Sequence, residues 1–358
     1  MKASRILGGV LLWTGAITVA HLSLNVDWSA ISNQRLATAA RKLNVAYIPV
    51  TCHLTCPVTD YISRRSASSK LSVSRNIFIP HLFQGFPEIK EALLADQMQA
   101  AFMVAPMAIA LRAQGVPIKI VYLGHRYGSA MVVAKNGPIK SLADLRGKTL
   151  AIPSRFSDER LLAFRAMKTV GLRAEDLKMV EMPPPDVAGA LAAGAIDAFV
   201  MGEPFPSQAE MGGFGRVLFH ARQYWPDYIS CVLVVRQDVI DTRPETVQAL
   251  VDGIARSGLW LEQGKPYRDA AAEFVGRDYY RQDPALLKWA LTNPLDRVMY
   301  TPLSPYKPDF EFIVSMMIET GVLDRQIAFE DFTDTRFAES ARTQVAWPFP
   351  PASTSSAE

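Results

Sequence analysis

From residue 43 onward the apolar positions follow two rhythms that trade places along the chain. Short β-branched or aromatic runs alternate with stretches whose apolar residues return every three or four positions. Residues 44–50 (NVAYIPV) predict a first strand, and 76–83, 99–104, 118–123 and 129–134 predict four more. Helices are expected between them. Pro57 suits the first turn of one, Pro87 opens another, and a third covers 106–113. The alternation then resumes, with strands at 149–153, 177–182, 198–201, 217–220 and 230–236 and helices at 158–170 and 187–193. Gly147 and Gly171 close helical segments, the usual place for a glycine at a helix C-terminus. Beyond residue 240 the pattern is helical. Residues 244–262 carry Val247, Leu250, Val251, Ile254 and Leu261 on one side, and helices at 267–276, 284–292 and 309–321 follow.

Strands alternating with helices predict an α/β protein with mostly parallel sheets. The chain is expected to build a first unit over 43–134, a second over 135–229, and then to return, so that the first lobe also takes 230–330. Two crossings between the lobes make a hinge. Ligands of open α/β sheets bind at the carboxyl ends of the strands, and in a two-lobed protein those ends face each other across a cleft.

Composition narrows the function. Of 358 residues, 49% are hydrophobic and 20% charged, enough for two lobes with a core each. The net charge of +3 is spread without a basic stripe, which excludes a nucleic-acid partner. Lys2 and Arg5 precede an uncharged, mostly apolar stretch over 6–20. Residues 1–30 therefore read as an export signal or as an N-terminal membrane anchor over 6–24, and the rest as periplasmic. The Pro-, Ser- and Ala-rich tail over 345–358 predicts disorder. Three cysteines are too few for a disulfide scaffold. The chain has no G-x-S-x-G, H-E-x-x-H, Walker A or G-x-G-x-x-G motif, so no catalytic residue, cofactor or resident metal is predicted.

Residues 135–153 (KNGPIKSLADLRGKTLAIP) resemble the entry to the second lobe of type II periplasmic binding proteins. The stretch AIDAFVMGEPFPSQ from Ala195, with its G-E-P after a strand, is similar to the nitrate/sulfonate/bicarbonate group of ABC-importer binding proteins (NMT1-like). So is QMQAAFMVAPMAIALRAQGVPIKIV over 97–121. The resemblance covers about 43–330. It implies a venus-flytrap fold, capture of a small solute, an anion of that class, and delivery by a monomeric receptor to separate permease and ATPase subunits. The fold is also shared by ligand sensors and by thiamine-pyrimidine synthases, so a membrane-tethered ligand or metal sensor and an enzyme of that kind stand as alternatives.

Candidate ligand-binding residues follow from the strand ends. Thr51, Cys52, His53, Thr55 and Cys56 lie between the first strand and a helix, where free backbone N–H groups and hydroxyls attract anions. Cys52 and Cys56 are open to a disulfide, to metal ligation with His53, or to plain burial; Cys231 is a further partner for either. Pro106 and Met107 wall the pocket or pack in the core. Arg155 and Ser157 offer a guanidinium and a hydroxyl, with Ser157 equally suited to cap a helix. Gly202 allows a close backbone approach, and Glu203 either orders the cleft or serves a helix start.

Overall fold

A computed structural model describes residues 13–15, 18, 42–67 and 78–348. Apart from the helical 13–15 and 18, the predicted export segment lies outside the described residues, as does the tail from 349. The chain divides into two units, 1–42 and 43–358, and both sheets belong to the second. Among the described residues no helix is long and apolar enough to cross a membrane.

The strand-forming runs assemble into two sheets. The first contains β1 (Leu43–Tyr47), β2 (Phe78–Leu82), β3 (Ala100–Met103), β4 (Ile118–Tyr127), β10 (Ile229–Arg236) and β11 (Val298–Met299), in the order β11-β4-β10-β3-β1-β2. The second contains β5 (Ser129–Ala134), β6 (Thr149–Ile152), β7 (Lys178–Glu181), β8 (Ala198–Gly202) and β9 (Gly215–His220), in the order β7-β6-β8-β5-β9. Most central strands are buried along nearly their whole length, as in a sheet covered on both faces.

The sheets are mixed rather than mostly parallel, which corrects the expectation from the alternating pattern. β1 runs parallel to β2 and β3, whereas β10 is antiparallel to β3 and β4, and β11 to β4. In the second sheet β6 is parallel to β7 and β8, while β5 is antiparallel to β8 and β9. The reason is the crossing itself. β4 passes into β5 with only Gly128 between them, so no crossover helix intervenes, and β10 brings the chain back in the opposite sense. At this corner Tyr127 has φ 64° and Gly128 φ 76°. A Cβ on Gly128 would lie 2.9 Å from His125 Cε1, so only glycine fits there.

Element ends differ from the sequence pattern in informative places. β1 stops at Tyr47, and the expected loop is wound: Thr51–His53 is a turn of 3-10 helix and Thr55–Ala67 an α-helix. β4 runs to Tyr127, four residues past the predicted end, because it pairs with β10 and β11 along that extension. The helix Pro244–Leu261 buries all five residues of the predicted apolar side.

Candidate functional site

Where β1 ends, the chain turns tightly and is pressed against β4. The carbonyl of Cys52 occupies the space a side chain at Gly124 would need. Thr51 is fully buried and bonded on three sides. Its N–H donates to the Glu203 carbonyl (2.8 Å), its carbonyl accepts from Tyr300 Oη (2.9 Å), and its hydroxyl pairs with His125 Nε2 (3.1 Å). Burial lowers the His125 pKa to about 4, so this imidazole is neutral at physiological pH.

The neighbouring side chains form a buried cluster. Cys52 Sγ lies 2.9 Å from Cys231 Sγ on β10, with the Cys231 thiol as donor. His53 packs between Phe102 and Phe86, its Nδ1 accepts from the Ile48 N–H (2.8 Å), and its Nε2 has no hydrogen-bond partner. Thr55 Oγ1 and Ser230 Oγ are likewise buried without a partner among the described residues. Cys56 is buried and free, and does not join Cys52. Burial, followed by the charge of Asp60, pushes its thiol well above the ordinary range.

Two carboxyls that the sequence pattern did not single out belong to this site. Ser157 caps the helix Asp158–Lys168, its Oγ accepting from the Arg160 N–H (3.2 Å). That cap places Asp158 and Glu159 in the first turn, both buried. Asp158 Oδ2 reaches from the second sheet's side to the first and accepts from Ala105 N–H (3.1 Å), at the start of the helix Ala105–Ala113. Glu159 Oε1 accepts from Ser129 Oγ (3.1 Å), which in turn accepts from Tyr228 Oη (3.1 Å). Among the described residues, Asp158 Oδ1 and Glu159 Oε2 have no hydrogen-bond partner. Burial pushes Glu159 up to about 7, and burial together with the charge of Glu159 pushes Asp158 well above the carboxylate range. Burial thus favours the neutral, O–H-donating form of each carboxyl. An i,i+1 pair of acids in the first turn of a helix looks like ordinary dipole chemistry in sequence, so only the fold shows that both are interior.

The other predicted residues border this cluster or lie outside it. Glu203 is buried and ion-paired, its Oε1 2.8 Å from Arg297, and its Oε2 accepts from the Ser207 N–H (3.1 Å). Its charge is therefore spent on tying the G-E-P turn to the segment before β11. A Cβ on Gly202 would meet Glu159 Oε1 and Ser129 Oγ at an ordinary 3.8 Å. Pro106 is buried in the first turn of its helix. Met107 lines a cavity of about 330 Å³ with Lys90, Ser154, Arg155, Phe156 and Glu181. Arg155 is exposed at that mouth, its guanidinium 4.8 Å above the Phe156 ring. A second cavity of about 300 Å³ lies at the crossing, lined by Tyr127, Gly128, Ser129, His220, Arg222 and Arg297 among others.

Residues 37–276 match the model of a family described as NMT1-like. The taurine-binding periplasmic protein of Escherichia coli (strain K12) is 28% identical over 51% of this chain and 59% of its own. The matched stretches span from 28% to 59% of the length of the curated relatives they meet first. Among solved structures, the periplasmic nitrate-binding protein NrtA from Synechocystis PCC 6803 superposes with a TM-score of 0.73 at 15% identity, covering 84% of this chain and 88% of that one. The desulfurization enzyme DSZB has a TM-score of 0.59 at 14% identity, covering 84% and 98%. These structures share the fold.

Proposed function

Because this chain belongs to the NMT1-like family, we propose that it is the extracytoplasmic solute-binding subunit of an ABC importer, which captures a small anion between its two lobes. The observation that carries this reading is the contact of Asp158 with the N–H of Ala105. It joins the helix that follows β6 of the second sheet to the helix that follows β3 of the first, within electrostatic reach of Cys52 in the wound turn after β1. The donors available to an anion on this reading are the carboxyls of Asp158 and Glu159, whose neutral forms burial favours, and the buried hydroxyls of Thr55 and Ser230, which have no partner among the described residues. Hydrogen bonds from neutral groups avoid the cost of burying an ammonium or guanidinium beside a small oxoanion. Two proteins like this chain bind taurine and nitrate by name, and the sulfonate of one and the oxoanion of the other are both acceptors for such donors. Delivery to a permease and ATPase in the membrane, a periplasmic location and the absence of catalysis complete the proposal.

The lobes close by a hinge at Gly128 and at the start of β10, the two strand passages between the sheets. A thermal-shift series against nitrate, bicarbonate, taurine and short alkanesulfonates tests the reading, because a ligand that binds only the native state raises the melting temperature. A concentration-dependent rise with one of them is expected. Flat responses to all, at concentrations up to those that saturate such receptors, contradict it.

A further inference from the structure

We propose that Cys52 and Cys231 are a dithiol–disulfide pair at the floor of the cleft, oxidised by exchange with a low-molecular-weight disulfide, with Cys52 as the attacking sulfur. Their sulfurs are 2.9 Å apart and both are buried. A disulfide needs a separation near 2.05 Å, so roughly 0.9 Å of movement suffices. The third thiol is not part of the pair: Cys56 sits in the following helix, free and facing Asp60. The roles of the two sulfurs are set by their hydrogen bond. Cys231 donates its S–H, which leaves Cys52 as the acceptor and the better home for negative charge.

A metal ion is the competing use of these atoms, because an imidazole nitrogen of His53 lies within 4.8 Å of both sulfurs. The hydrogen bond from Ile48 argues against it. It occupies the Nδ1 lone pair, so in the neutral ring Nε2 carries the proton, and neither nitrogen is free to ligate.

The exchange balances as follows. The Cys52 thiolate attacks one sulfur of the external disulfide RS–SR, the Cys52–SR bond forms, and the first RS⁻ leaves and takes up a proton. Cys231 then loses its proton, its sulfur attacks Cys52 Sγ, the Cys52–Cys231 bond forms, and the second RS⁻ leaves and is protonated. Two cysteine thiols have lost two electrons and two protons, and the external disulfide has become two thiols. Access requires the open cleft, since both sulfurs are shielded when Asp158 meets Ala105. The consequence reaches the solute site. A thiolate at Cys52 helps to push Asp158 and Glu159 up, and closing the disulfide removes that charge. This inference stands apart from the choice of solute.

The test is peptide mapping of the folded full-length chain by mass spectrometry without reduction, after incubation with glutathione disulfide. The expected product is a Cys52–Cys231 linked peptide, with one thiol titratable in denaturant against three after dithiothreitol. In Cys231→Ser the mixed disulfide with glutathione should be trapped on Cys52, while in Cys52→Ser residue 231 should stay unmodified. A Cys52–Cys56 link, three thiols that stay free, or a bound metal that protects the pair would overturn the proposal. The wild-type map decides the linkage even if a variant fails to fold.

Discussion

Glu159 is the residue whose chemistry the fold alters most, and its effect on stability has a definite sign. Its carboxyl is raised from 4.5 to about 7 by burial, so the folded state holds a proton that the unfolded chain releases earlier. The stability this contributes is complete below pH 4.5 and is lost as pH rises through 7. At full effect the loss is about 3 kcal/mol. Glu159→Gln should therefore gain stability relative to the parent between pH 5 and pH 8, measured by urea denaturation at the two values. An equal difference at both would show that the carboxyl is ionised throughout. Gly124 tests the turn from the other side. Gly124→Ala forces the Cys52 carbonyl away from β4, and a loss of about 1 to 3 kcal/mol is expected in the same assay. Neither residue announces itself in the sequence. Glu159 follows a helix cap and looks solvated, and Gly124 sits in an apolar run where its close neighbour is 72 positions away in the chain.

Among the elements, the helix Asp158–Lys168 and the G-E-P turn position the site, and each has a separable support. Ser157→Ala removes the cap bond to the Arg160 N–H and should cost about 1 kcal/mol in thermal or chemical unfolding. Arg297 is nearly buried against Glu203 and also bonds Ser207 and Glu210. Arg297→Met leaves Glu203 buried without its cation, and a loss of about 3 to 5 kcal/mol is expected. A double variant with Glu203→Gln should recover part of it, because the uncompensated charge goes with the carboxyl. The sequence showed the elements better than their joints. Periodicity placed the five core residues of Pro244–Leu261 on one side, since burial is what imposes that period. It hid the 3-10 turn Thr51–His53, whose path follows from contacts with β4, Glu203 and Tyr300 rather than from local propensity. It also gave no hint of Arg297 as the partner of Glu203.

At the scale of the molecule, two mixed sheets joined at Gly128 and at β10 share a buried polar floor that, among the described residues, is incompletely hydrogen-bonded. The alternation of strands and helices made an α/β fold legible. The direction of β5 and β10 was not, because an antiparallel return and a parallel crossover bury the same apolar runs. Candidate residues from strand ends fell into two groups for the same reason. Thr51, Cys52 and His53 converge on the floor, whereas Arg155 and Met107 lie at a separate mouth. The measurement that bears most directly on the receptor reading is isothermal titration of the full chain with nitrate, bicarbonate, taurine and methanesulfonate, for the parent and for Asp158→Ala. One of these solutes should bind the parent through its oxoanion group, and Asp158→Ala should weaken it at least about tenfold, a change of about 1.4 kcal/mol. Arg155→Ala should leave the affinity within a factor of about two. Binding that survives Asp158→Ala unchanged, or no binding of any of the four, would contradict an anion receptor built on this floor.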